Sequence, residues 1–156
     1  MIAVPLKMER VNSAVSPLFG KAKYFAIANK GEIEILKNVC QGGNQVAMWL
    51  HSLGVKKLLV SHMGANPFAK LTNFGIESYF VGEERIVLKD ALLSYADGDL
   101  MRVDKGNFDT IFPPHSHSHG EKHHHHSNHK GNDTYDTFFI RGIHNPPLMN
   151  TYHFTK

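Results

Sequence analysis

Apolar residues in this chain fall into short runs and helical stripes separated by turn residues, and the pattern changes after residue 103. Ile2, Ala3 and Val4 read as a buried first strand that Pro5 ends. Residues 6–20 read as a loop, with Asn12, Ser13, Ser16, Pro17 and Gly20 as turn residues. Strands are expected at 24–28 and 33–36, joined through Asn29, Lys30, Gly31 and Glu32 as a hairpin turn. Residues 40–44 form a glycine-rich loop, with Asn44 as the next helix N-cap. Val46, Ala47, Trp49, Leu50 and Leu53 then recur at helical spacing up to Gly54.

The pattern is organised around residues 58–68. Leu58, Leu59 and Val60 form the apolar run of a strand covered on both faces. Ser61, His62, Met63 and Gly64 turn it toward a helix. Pro67 suits the first helical position and Asn66 the N-cap. That helix runs through Phe68, Ala69, Leu71 and Thr72 to Gly75. Such a junction leaves backbone N–H groups unpaired at the positive end of a helix dipole, a ready anion site. The plain alternative is a tight turn bearing a surface histidine. A further strand is expected over 76–81 and an amphipathic helix over 86–96, stopped by Gly98. Strand alternating with helix favours parallel pairing, whereas the hairpin is antiparallel. The fold class is therefore α/β, with a mixed sheet of five strands between helices, ending near residue 103.

Composition changes this picture mainly at the C-terminal side. Residues 104–133 contain a low-complexity stretch in which His115, His117, His119, His123, His124, His125, His126 and His129 stand among Ser, Gly, Lys and Asn. Eight imidazoles within fifteen residues supply several ligand sets for Zn, Ni, Cu or Co ions. With almost no apolar content, the stretch is expected to lack a fold until metal orders it, so exchange should be fast. It is internal and irregular, and 27 residues follow it, which argues against a purification tag. Removing residues 115–129 is expected to abolish most Ni or Zn binding and leave the domain's melting unchanged. Residues 134–156 are apolar again and are expected to dock as an edge strand over 137–141 or to pair with a second chain.

Charge narrows the partners. Seventeen basic against fourteen acidic residues give only +3 over 156 residues, too little to argue for nucleic acid. No stretch is long and apolar enough for a membrane span, and residues 1–5 lack a signal-peptide layout. The single cysteine, Cys40, excludes an intrachain disulfide. A cytoplasmic protein, monomer or homodimer, is the expectation.

Five elements in order along the chain resemble the dinitrogenase iron–molybdenum cofactor biosynthesis family over about residues 1–101. They are Ser16-Pro17-Leu18-Phe19-Gly20 before an aromatic strand, and Gly42-Gly43-Asn44 before the first helix. Gly64-Ala65-Asn66-Pro67-Phe68 opens the second helix, with Ala and Pro exchanged relative to the family. An apolar first strand and a closing Gly98-Asp99-Leu100 complete the set. The resemblance implies a ribonuclease-H-like, three-layer α/β/α fold with strand order 3-2-1-4-5. It also implies a carrier or assembly protein for an iron–molybdenum-type metal–sulfur cluster, working with cluster-assembly proteins. The loops at its switch point would bring together Ser16, Phe19, Gly20, Cys40, Gly42, Gly43, His62, Gly64 and Asn66.

Among these, Cys40 and His62 carry ligand chemistry. A thiolate at Cys40 would gain from the following helix N-terminus, and one cysteine cannot hold a four-thiolate cluster. The plainer reading of Cys40 is a small buried side chain, and Met63 reads as core. Three functions follow in order: a non-enzymatic cluster carrier, a divalent-metal store acting through the histidines, and an enzyme. The enzyme comes last, because two-metal nucleases gather carboxylates and residues 1–5 and 55–60 carry none.

Overall fold

The computed structural model describes residues 1–114 and the backbone of 150–153. Among the described residues seven strands are present: β1 (Ile2–Leu6), β2 (Tyr24–Asn29), β3 (Glu32–Lys37), β4 (Lys57–Val60), β5 (Glu77–Phe80), β6 (Met101–Val103) and β7 (Asn150–His153). The helices are α1 (Gly43–Ser52), α2 (Ala65–Asn73), α3 (Leu88–Ala96) and the single turn α4 (Phe108–Ile111). The strands form one mixed sheet in the order β6-β5-β4-β1-β2-β3-β7. Its central five follow the expected 3-2-1-4-5 order, but the five-strand expectation is corrected at both edges. β6 was hidden because three residues with two exposed side chains carry no strand periodicity. β7 pairs antiparallel with β3, Ile33 opposite Tyr152. The tail strand expected at 137–141 and the histidines 115–129 lie outside the described residues.

The sheet order follows from residue chemistry. Lys30 and Gly31 both take positive φ, 50° and 80°, as a two-residue type I′ hairpin requires. The hairpin fixes β2 against β3 in register, Asn29 opposite Glu32. β1 runs antiparallel to β2 and parallel to β4, with Ala3 opposite Ile27 and Leu58. Pro5 does not end β1 but sits inside it. Its carbonyl accepts the Ser16 N–H at 2.7 Å. The N and C=O of a strand residue point to the same side, so the missing N–H falls away from β2 and that ladder is intact.

Side chains alternate across the sheet, and each face has its own core. Ala3, Phe25, Ile27, Leu36, Leu58 and Val60 point to the face covered by α1 and α2. Val4, Leu6, Ala26, Ile33, Ile35 and Leu59 point to the face covered by α3. Helices on both faces make three layers. On the first face Trp49, Phe25 and Phe19 form an edge-to-face chain, with ring centroids 5.7 and 5.9 Å apart.

That face continues past the expected boundary at residue 103, since Phe108 and Phe112 belong to the same core. Ser78 on β5, opposite Leu58, is 1% exposed, and its hydroxyl lacks a hydrogen-bond partner among the described residues. An unpaired buried hydroxyl carries a desolvation penalty. Ser78→Ala is therefore expected to raise the urea midpoint, by about 1 kcal/mol in stability. A fall would reveal a hidden partner.

Candidate functional site

The topology gathers one set of turns at one edge of the sheet. Leu6, Tyr24 and Lys37 are in register, so β1 ends, β2 begins and β3 ends there. β4 and β5 are parallel to β1 and end on the same side. Both α1 and α2 therefore start at this edge.

Three loops converge. Phe19 opens a short 3-10 turn, Phe19–Lys21, and its N–H donates to the His62 carbonyl at 3.1 Å. Gly20 faces the first turn of α1, where a Cβ added to it would lie 2.8 Å from the Gly43 nitrogen. Gly43 faces α2 in turn, where a Cβ would lie 2.8 Å from Pro67 Cγ and 3.6 Å from the Phe19 ring. The first turns of two helices thus touch through glycine, and a Cβ at either contact would force its neighbour to shift.

Each helix starts earlier than its sequence suggests. Gly42 and Gly64 are the N-caps, not Asn44 and Asn66. Gly42 has φ +83°, which favours glycine, and Gln45 Oε1 accepts the Gln41 N–H at 2.9 Å, fixing the chain's entry. Pro67 is consequently the third helical residue rather than the first. It still costs no intrahelical bond, because first-turn N–H groups have no partner within the helix. Neither helix has a side-chain cap at its N-terminus, so the positive ends of two dipoles meet here.

The other expected residues are placed differently. Ser16 is buried, and its hydroxyl donates to the Leu18 carbonyl at 3.3 Å, so it shapes its own turn. Asn66 is exposed on α2. His62 is half-buried, with its ring edge-on to Phe112. Cys40 is half-buried against the α1/α2 core. Burial raises its thiol pKa above the ordinary 9.0, against the gain a thiolate would draw from the α1 N-terminus. Iodoacetamide is accordingly expected to modify Cys40 slowly at pH 7.5 and faster as pH rises past 9. Rapid modification at neutral pH would contradict a protonated, sheltered thiol.

Two contributors escaped the sequence reading. Asn38 ties the Cys40 loop down: its Nδ2 donates to the Ala22 carbonyl at 2.8 Å and its Oδ1 accepts the Cys40 N–H at 2.9 Å. An asparagine two residues before a glycine-rich turn was the available signal. Pro67, read as a helix starter, is also the wall against Gly43. The eight histidines, His115 to His129, lie outside the described residues. Among the described residues no group of three or more His, Cys, Asp or Glu side chains is placed to hold a metal ion.

The family model described as dinitrogenase iron-molybdenum cofactor matches residues 1–98. The chain belongs to that family. A Thermotoga protein assigned as NifB and to the DUF35 family, solved by NMR, is 30% identical, with TM-score 0.56, over 64% of this chain and 89% of its own. The apo orange protein of Desulfovibrio gigas shares the fold at 22% identity and TM-score 0.59, over 65% of this chain and 91% of its own. No curated protein matches the chain significantly. The converging glycine turns, including Gly20, Gly43 and Gly64, all lie within the family domain, whereas β6, α4 and β7 lie beyond it. No helix among the described residues is long and apolar enough to cross a membrane.

Proposed function

We propose that this protein carries a metal–sulfur cluster of the iron–molybdenum cofactor type, or a precursor of it, without catalysing a reaction on it. The observation behind this reading is the contact of two uncapped helix N-termini, through Gly20, Gly43 and Pro67, in a member of a family described by that cofactor. Metal–sulfide clusters are commonly anionic, and backbone N–H groups at helix starts favour anions.

The side chains suit a carrier. Among the described residues Cys40 and His62 are the half-buried soft or borderline ligands next to these turns, Met63 being buried, and two are fewer than a resident four-ligand cluster needs. The cargo would arrive assembled, with its own sulfide, be held by N–H groups and few protein bonds, and leave intact to an acceptor. Cluster-assembly proteins are the matching donors and acceptors.

The test is elemental analysis of full-length protein purified without oxygen and without a metal-affinity column. Iron and acid-labile sulfide together, near one cluster per chain and with molybdenum if the cofactor is complete, are the expected result. Divalent ions without sulfide would overturn the carrier reading.

A further inference from the structure

Residues 99–112 follow the family domain, yet they build against its site. A rigid turn links β6 to α4. Asp104 Oδ1 accepts the Gly106 and Asn107 N–H groups at 2.8 and 2.9 Å, and Asn107 returns bonds to the Asp104 N–H and the Arg102 carbonyl. Phe108 stacks on Phe68 of α2, with centroids 4.7 Å apart, which anchors α4. Phe112 then lies edge-on to three rings: His62 at 5.3 Å, Phe80 at 5.7 Å and Phe108 at 5.3 Å. Phe112 is buried, so its own position is fixed by packing.

His62 is thus held from two sides. The Phe19 N–H fixes its carbonyl, and Phe112 walls one side of its ring. An imidazole turns about two side-chain torsions, and an aromatic wall removes the rotamers that would enter it. We propose that Phe112 is a positioning residue for His62, setting the imidazole's orientation and, through it, the hold on the cluster. The proposal rests on the carrier reading, with His62 as a cluster contact. It makes the segment after the family domain a working part of the site.

The experiment uses the full chain with isotope-labelled histidine, His62 being assigned by the signal lost in His62→Gln. In apo Phe112→Leu the His62 ring resonances are expected to move toward those of an unstructured histidine. Phe112→Tyr, which keeps the ring, should restore them. After anaerobic reconstitution with ferrous iron and sulfide, Phe112→Leu and His62→Ala should each lose about tenfold in cluster retention. The double variant should lose no more than His62→Ala alone, since both act through one group.

Unmoved His62 signals in folded Phe112→Leu would overturn the proposal and leave the carrier reading standing. Additive losses in the double variant would also overturn it. Wild-type retention in His62→Ala would remove His62 from the site and the proposal with it. If leucine prevents folding, Phe112→Met fills the space flexibly and carries the same readouts.

Discussion

Gly20→Ala is expected to lower the thermal midpoint by roughly 10 °C, from about 2 kcal/mol of overpacking, and to abolish cluster retention. The added Cβ would lie 2.8 Å from the Gly43 nitrogen and 3.1 Å from its Cα. Both are backbone atoms, so no side-chain rotation relieves the clash. The first turn of α1 would have to retreat, and Gly43 already lies against Pro67 of α2. One methyl group therefore pries apart the two helix starts that form the anion cradle. The control is Gly54→Ala, where φ is +82° but the space is open. That change should cost about 1 kcal/mol by backbone conformation alone and leave retention intact. Calorimetry and cluster retention on the two variants separate a steric effect at the site from a general loss of stability. A Gly20→Ala protein that melts and retains cluster like the parent would mean that the close contact is absent.

Cys40→Ser and His62→Ala are each expected to weaken cluster retention by about tenfold, following the usual cost of disturbing a metal's shell. The comparison reads retention as acid-labile sulfide held by the full chain, so that divalent ions on the histidines at 115–129 cannot mask the loss. The Cys40 effect should also depend on pH. Its thiol is raised above 9.0 by burial, so it is protonated in the apo protein at neutral pH. Ligation expels that proton. Retention through Cys40 should strengthen by roughly tenfold per pH unit below the raised pKa, and Cys40→Ser should remove that slope. A double variant that takes up cluster normally would exclude both side chains. The fold and the family would be unaffected.

Local chemistry made much of this architecture legible. Asn29 to Glu32 announced a hairpin turn, and the positive φ of Lys30 and Gly31 makes it type I′. The apolar run at Leu58, Leu59 and Val60 announced a strand covered on both faces, and all three are buried, with Leu59 facing α3 and its neighbours facing α1 and α2. Helix starts were less legible. Asparagine is a good N-cap in isolation, but at both helices a glycine two residues earlier takes that place, and Asn44 and Asn66 fall within the first turn. Pro5 misled for a related reason. Proline breaks a strand only where its N–H would have been needed, and which side of β1 needed donors depended on neighbours distant in sequence.

The sequence by itself determined the elements that rest on contacts between near residues. These are the hairpin, the amphipathic helices, the turn glycines and the family to which residues 1–98 belong. Only the tertiary structure decided which turns meet. Gly20, Gly43 and Pro67 are far apart along the chain and come together because β1, β3 and β4 end at one edge of the sheet. It also decided that Cys40 is half-buried, which pushes its thiol pKa up, since burial is set by everything packed around a group and not by its neighbours in sequence. Phe112 belongs with these. Alone in the sequence it is one more phenylalanine before a polar stretch, and its place beside His62 depends on β6 turning the chain back across α2.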